Sequence, residues 1–257
     1  MNQRIDSLDK YYKKINSFSK FSNVFFILNV FISIVIVGID NKMQYKEVLD
    51  YIFIATILIY FVTDNYLTIF MMAEVEEKRR KNLLSNSFNV PLDNERTINY
   101  YNNDVEPSIV KLGVNVFENS LFGMRVTHKM VVSVRWKIGA FILLFLILLV
   151  MRETKLEFIS IVTQVLFASA LLPSYIRLEK LYYKNRSTFA ELYNLFLHNN
   201  KNEMADNPRI IASLLDYFVK YEASKAYSGV RQDSEIFIKL NKEVSAEWEE
   251  IKIQLEI

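Results

Sequence analysis

The sequence predicts an all-α membrane protein with four transmembrane helices in two hairpins and a helical cytoplasmic region built from the central segment and the C-terminal tail. Three observations predict this class. Of the 257 residues, 51% are hydrophobic and lie in long blocks, only 5 Gly and 4 Pro interrupt the chain, and most Lys and Arg lie outside two short connections. So few Gly and Pro argue against an all-β fold with many tight turns.

Two blocks are long enough to cross a bilayer. Residues 21–39 carry no charge, and residues 51–72 carry only Asp64. At 1.5 Å per residue they would extend roughly 28 and 33 Å, which matches a hydrocarbon core of about 30 Å. A secretory signal peptide is the alternative for the first block, but about twenty charged and aromatic residues precede it and no A-x-A-like cleavage site follows. We therefore expect it to remain in the mature protein.

The second hairpin is predicted from a short block and a long one. Residues 138–151 are only 14 long, whereas residues 158–176 include no charge. The short block could be a buried core helix. However, the connection 152–157 ties it to a full-length span, and snorkelling of Arg135 and Lys137 around Trp136 can lengthen it.

Charge predicts the orientation and the domains. The N-terminal arm, the central segment and the tail hold 27 basic residues, and the two hairpin tips hold 4. The positive-inside rule then places both termini and the central segment in the cytoplasm. The predicted parts are residues 1–72 (arm and first hairpin), 73–137 (central segment), 138–176 (second hairpin) and 177–257 (tail).

The central segment is predicted to be mostly helical. The second span continues without a breaker to Lys81, and the stretch 89–93, with Pro91, ends that helix. Residues 100–104 are predicted as a loop. After Pro107 the Val-rich stretches could form strands, but the spacing favours a helix.

The tail predicts three helical stretches. Residues 177–197 form an amphipathic continuation of the fourth span, and Asn207 before Pro208 starts a helix that Ser228 and Gly229 end. Its predicted apolar face comprises Ile211, Leu214, Leu215, Phe218 and Tyr221. A last helix starts near Asp233 or Ser234 and carries an apolar stripe that needs a partner helix, in this chain or a neighbouring subunit: Ile236, Leu240, Val244, Trp248, Ile251 and Leu255.

Composition and motifs do not favour an enzyme. The chain has no Cys and 2 His, which argues against disulfides, a cysteine nucleophile and a multi-histidine metal centre. It carries no Gly-rich phosphate loop, HExxH, G-x-S-x-G or EF-hand pattern. We expect no metal site, no cofactor and, at a net charge of +2, no DNA partner.

Four polar residues inside the predicted spans are candidate pore residues: Asp64, Asn29, Ser33 and Gln164. An ionised carboxylate at this depth is costly and usually faces a bundle interior or water. These side chains could line a hydrophilic pathway that opens in an oligomer, or they could be interhelical hydrogen-bond partners inside one protomer.

The order of these features resembles a known family. Four spans in two hairpins, a charged helix after the second span, and the element Arg231-Gln232-Asp233-Ser234-Glu235-Ile236-Phe237 in the tail are similar to the SMODS-associated four-transmembrane pore-forming effectors of CBASS anti-phage defence. The stretch Glu118-Asn119-Ser120-Leu121-Phe122 more loosely resembles that family's Asn-plus-aromatic element.

The resemblance implies a function and a partner. A cyclic nucleotide or oligonucleotide made by a partner nucleotidyltransferase would bind the cytoplasmic region, change the packing of a homo-oligomer and permeabilise the bacterial inner membrane. A ligand with several phosphates needs cations and stacking surfaces. The candidates are Arg79, Arg80, Arg125, Lys129, Arg231, Tyr100, Tyr101 and Tyr182. For Arg79 and Arg80, contact with lipid head groups is the alternative role.

A second class of function stays open. The chain could be a structural or scaffolding membrane protein whose helical tail binds a partner and which forms no pore. An intramembrane enzyme lacks a candidate nucleophile or metal constellation.

Overall fold

The computed structural model is all-helical apart from one two-residue ladder, and it describes residues 5–38, 45–95, 97–98, 100–150 and 171–257. The helices are α1 (Asp9–Gly38), α2 (Tyr45–Tyr66), α3 (Met72–Phe88), α4 (Ile109–Val150), α5 (Leu171–His198), α6 (Lys201–Met204), α7 (Pro208–Ser228) and α8 (Ser234–Leu255). A π-helical turn, Leu67–Met71, separates α2 from α3. Strands β1 (Ile5–Asp6) and β2 (Thr97–Ile98) pair antiparallel.

Within the described residues, three helical stretches are long and apolar enough to cross a membrane: Asp9–Ile36, Tyr45–Phe88 and Ile109–Ile147. The all-α class is confirmed, and these helices suggest a membrane protein. Most of the predicted fourth span, residues 158–170, lies outside the described residues, and its last residues belong to the start of α5.

The chain divides into two compact units. The first, called here the packed unit, comprises residues 1–11, 73–131 and 177–257; the second, called the span unit, comprises residues 12–72 and 132–176. Residues 5–11 lie in the packed unit, where Asp6 pairs with Thr97 and Arg79.

Helices α1 and α2 of the span unit run antiparallel. Aromatic rings pair Phe18 with Tyr66 and Phe26 with Tyr60, at centroid distances of 5.7 and 5.8 Å. Most other large apolar side chains of these helices are exposed, for example Phe31 at 63% and Phe61 at 62%. Side chains of this kind are suited to lipid contact.

The core of the packed unit centres on Phe117 of α4. Its ring stacks on Phe196 of α5 at 5.7 Å and meets the edge of Trp248 of α8 at 5.2 Å. All three side chains are buried. The predicted stripe of the last helix therefore finds its partner within this chain, and Val244 and Ile251 are buried with Trp248.

Helix ends follow the predicted signals closely. Asn89 has a φ of 54° and ends α3, the Asn207 side chain accepts a hydrogen bond from the Arg209 amide, and Gly229 adopts a φ of 55° after α7. Asp233 caps α8. The predicted face of α7 is wrong at one position: Leu215 is 44% exposed, and Ile210 takes its place in the core because the buried stripe runs through Ile210, Leu214 and Tyr221.

Candidate functional site

One face of α4 carries three of the cationic or titratable side chains. Arg125, His128 and Lys129 are spaced three and four residues apart, so they lie on one side of the helix. Arg125 and Lys129 are exposed. The ring of Tyr182, on α5, packs against His128 with a centroid distance of 5.2 Å. The structure therefore brings together three predicted ligand residues, Arg125, Lys129 and Tyr182, in what we call the α4 basic face.

Arg125 already has a carboxylate partner. Its Nε lies 3.0 Å from Oε2 of Glu247, and its Nη2 lies 2.5 Å from Oε1, which is a bidentate pair. Glu247 belongs to α8. An anionic ligand at Arg125 would have to compete with Glu247.

Arg231 lies in the loop between α7 and α8. Its Nη1 is buried and has no hydrogen-bond partner among the described residues. Burial lowers the pKa of the guanidinium, and the Asp233 carboxylate opposes that shift. The same carboxylate accepts hydrogen bonds from the Glu235 and Ile236 amides at 2.8 and 3.1 Å.

The Arg231 loop contacts the α4 helix. The amide of Asp233 donates to Sδ of Met130 at 3.4 Å. Met130 follows Lys129, so the loop meets α4 at the end of the basic face. Arg231 thus lies in a loop that meets α4 next to Lys129.

The second predicted group, around Arg79, is committed to internal contacts. Nη2 of Arg79 pairs with Oδ2 of Asp6 at 2.9 Å, and its guanidinium lies 4.7 Å from the ring centroid of Tyr100. Both partners of the ion pair are largely buried. Arg80, in contrast, is exposed. The contacts of Arg79 attach the N-terminal segment to α3.

Tyr101 serves the core. Its hydroxyl accepts a hydrogen bond from Nδ2 of Asn119 at 3.1 Å, and burial raises the pKa of the phenol well above its ordinary value. Its ring meets Tyr100 edge-on at 4.9 Å. Tyr101 is half-buried and packs against the core, and its role as a stacking surface for a ligand stays a prediction.

A charged cluster between α3 and α7 was not found by sequence reasoning. Nζ of Lys225 lies 2.6 Å from Glu76 and 3.9 Å from Glu222. Glu222 is buried, and that burial raises the pKa of its carboxyl. The only sequence signal for this cluster is the oppositely charged pair Glu222 and Lys225, three residues apart and next to the buried Tyr221.

The candidate pore residues of the span unit behave differently from one another. Asn29 accepts a hydrogen bond from Thr56, which joins α1 to α2, and the hydroxyl of Thr63 lies 3.4 Å from that of Ser22 in a second such link. Ser33 bonds within its own helix, to the Val30 carbonyl at 2.8 Å. Asp64 is half-buried. Gln164 lies outside the described residues.

A depression of about 270 Å³ lies at the end of α5 and contains none of the predicted residues. Its lining comprises Phe196, Leu197, His198, Asn199, Asn200, Gln254, Leu255 and Glu256. Within the described ranges, no group of three or more His, Cys, Asp or Glu side chains is arranged to hold a metal ion.

No protein-family model, curated protein or solved structure matches the chain. The assignment of this chain as all-helical, and the suggestion that it is a membrane protein, therefore rest on the helices described above. Any assignment of function rests on the geometry of the candidate residues.

Proposed function

We propose that this chain is a membrane effector of anti-phage immunity that senses a cyclic nucleotide or oligonucleotide through its cytoplasmic region and rearranges as an oligomer to permeabilise the inner membrane. The result would be cell death or growth arrest. A partner nucleotidyltransferase would supply the ligand. The proposal assigns no enzymatic activity, cofactor or metal to the chain.

The observation that carries the proposal is the α4 basic face. Arg125 and Lys129 present two cations, one helical turn apart, beside the paired rings of Tyr182 and His128. A ligand with phosphates and bases requires cations for the phosphates and aromatic faces for the bases. Arg231, with its buried unpaired Nη1, supplies a further cation at the loop that contacts Met130.

The proposed topology has four spans in two hairpins, with both termini in the cytoplasm. The first hairpin is supported by the antiparallel contacts of α1 and α2, and the third span by the apolar end of α4. The fourth span, residues 158–176, is supported by its uncharged sequence. Four spans enclose too little space for a wide pore, so permeability would require several copies.

A liposome experiment tests the proposal. We expect the purified full chain, reconstituted in dye-loaded vesicles, to release dye only when 3′,3′-cyclic di-AMP, cyclic tri-AMP or another member of a cyclic-nucleotide panel is added. Lys129→Glu should abolish that release because it reverses a charge on the α4 basic face. Lys242→Glu, at another exposed lysine on α8, should leave it intact. Absence of release across the whole panel would count against the proposal.

The scaffolding function is the second candidate, and the bonds between α1 and α2 favour it. If Asn29, Thr56, Ser22 and Thr63 only join helices, the span unit needs no hydrophilic pathway. Asp64→Asn distinguishes the two. A scaffold would keep vesicle permeability unchanged while its assembly changes, whereas the effector would lose conductance because a charged group of its pathway is neutralised.

A further inference from the structure

A buried carboxamide on α5 lacks hydrogen-bond partners. Asn185 is 1% exposed, and both its Oδ1 and Nδ2 are unpaired among the described residues. It occupies the apolar stripe of α5, four residues after Leu181 and four before Phe189. A buried polar group without a partner loses its hydrogen bonds to water and gains none in return.

The contact of Asn185 with α4 is unusually close. A Cβ placed on Gly123 would lie 2.9 Å from Nδ2 of Asn185, so only glycine allows the carboxamide to approach the α4 backbone this closely. The Gly123 carbonyl already accepts a hydrogen bond from Oγ1 of Thr127, at 2.6 Å. The Gly123 carbonyl therefore already has a side-chain donor, and it makes no hydrogen bond with the carboxamide of Asn185.

A second unpaired group lies one turn further along α5. Thr188 is 1% exposed, and its Oγ1 has no hydrogen-bond partner within the described residues. The hydroxyl of Thr127, on α4, is also buried but is satisfied by its own helix. Among the described residues, two buried polar groups one turn apart on α5 are thus unsatisfied, and the first of them lies against Gly123 of α4.

The chain offers an internal comparison in Asn115 of α4. Asn115 is equally buried, yet its Nδ2 donates to Asn86 and Ser87 at 3.0 and 2.9 Å, and its Oδ1 accepts from Asn103 at 2.9 Å. The packed unit can therefore satisfy a buried asparagine completely. The environment of Asn185 differs because no partner is supplied from α4.

We propose that the α4–α5 contact at Gly123 and Asn185 is a metastable packing, poised to give way to a second packing in which Asn185 and Thr188 are hydrogen-bonded. Interfaces between packed helices are bistable rather than continuously deformable, so a shift of α5 along α4 changes the contact as a unit. Tyr182, on the same helix and against His128, shifts with it. A ligand on the α4 basic face would then bias the equilibrium; this last step rests on the proposed function.

The experiment compares matched variants of the full chain. Asn185→Leu keeps the branching of the side chain and its number of non-hydrogen atoms while it removes the unpaired polar atoms, and it should raise the Tm of the purified protein by roughly 3 °C or more. Asn115→Leu should lower the Tm, because it removes a carboxamide whose bonds are made and leaves Asn103 and Asn86 without it. Thr188→Val removes the second unpaired group and should raise the Tm independently.

Hydrogen exchange reports how readily the α4–α5 contact opens. The backbone amides of residues 181–190 should exchange about tenfold more slowly in Asn185→Leu than in the wild type, and this slowing should exceed that of residues 244–251, which follows the general gain in stability. A lower Tm for both Asn185→Leu and Thr188→Val, or slowing in residues 181–190 that is no larger than in residues 244–251, would overturn the proposal.

The functional step has its own readout. In vesicles, Asn185→Leu should require more 3′,3′-cyclic di-AMP, or whichever probe opens the wild type, for half-maximal dye release, because it stabilises the resting packing. Equal concentrations for both proteins would overturn the functional step. Failure of the wild type to release dye with any probe would count against the proposed function, and the Tm and exchange results would still decide whether the packing is metastable.

Discussion

Arg125 of α4 and Glu247 of α8 form a bidentate ion pair, 122 residues apart in the chain, with contacts of 2.5 and 3.0 Å. The pair is partly exposed, with 47% of the Arg125 side chain accessible. An exposed pair of this kind contributes little to stability, about 0–1 kcal/mol. Its main consequence is therefore that Glu247 competes with any anion for Arg125.

Removal of that competitor should strengthen ligand binding. We expect Glu247→Gln to lower the Kd for a cyclic-nucleotide probe by up to roughly fivefold, the equivalent of about 1 kcal/mol. Arg125→Gln should weaken binding. Titration calorimetry on the detergent-purified chain measures both. Unchanged affinity in both variants would exclude Arg125 from the ligand site.

Glu222 should make stability depend on pH. Because burial raises the pKa of its carboxyl in the folded state, folding loses stability as the pH rises from the ordinary Glu pKa through that raised pKa. Glu222→Gln should therefore have a higher Tm than the wild type at neutral pH, and the difference should disappear near pH 4. Thermal melts between pH 4 and 8 measure it.

Glu76→Gln is the control for Glu222→Gln. It breaks the 2.6 Å ion pair with Lys225 and so removes one of the two carboxylates near that ammonium, and we expect the Tm at neutral pH to fall. A Glu222→Gln protein that melts below the wild type at every pH would show that Lys225 stabilises the Glu222 carboxylate more than burial destabilises it.

Trp248 should be the most costly single truncation in α8. The side chain is fully buried, its ring meets Phe117, and its Nε1 donates to the Asn102 carbonyl at 3.2 Å. Trp248→Ala should cost about 3–5 kcal/mol of unfolding free energy. Ile253→Ala, at a 79% exposed position of the same helix, should stay within about 0.5 kcal/mol. Denaturant titration in detergent compares the two variants.

The bond from Thr56 to Asn29 should contribute modestly to the pairing of α1 and α2. Hydrogen bonds between membrane helices average about 0.6 kcal/mol, so Thr56→Val should lower stability by roughly that amount. Ser33→Ala should have a smaller effect on this pairing because the Ser33 hydroxyl bonds to its own helix. Steric-trap or denaturant unfolding in bicelles measures both. A Thr56→Val loss no greater than that of Ser33→Ala would mean that the bond contributes nothing to pairing.

Local signals predict the helix ends well because they act over a few residues. Asn207 and Asp233 cap helices through their own neighbouring amides, and Gly229 adopts the left-handed conformation that a side chain disfavours. The apolar stripe of α8 can be predicted equally well, since its apolar residues recur every three or four positions. The prediction that Leu215 is buried is wrong because the buried face of α7 is narrow and does not include every apolar residue of the helix.

Only part of the candidate site can be predicted from the sequence. Arg125 and Lys129 are neighbours on one helix, so their shared face follows from spacing. That Arg79 pairs with Asp6 rather than facing solvent depends on residues 73 positions apart. The sequence marks Asn185 only as a polar residue within an apolar stripe. Its lack of hydrogen-bond partners depends on which groups of α4 lie next to it.

The sequence by itself determined the fold class of this protein. Uncharged apolar blocks must be covered by lipid or by a protein core, and helical periodicity with few Gly and Pro excludes a fold built on β-sheets. Only the tertiary structure decided which charges are compensated and which polar groups are left without partners. Helical periodicity is set by bonds four residues apart, whereas the partners of Arg125, Glu222 and Asn185 lie on other helices and are selected by packing.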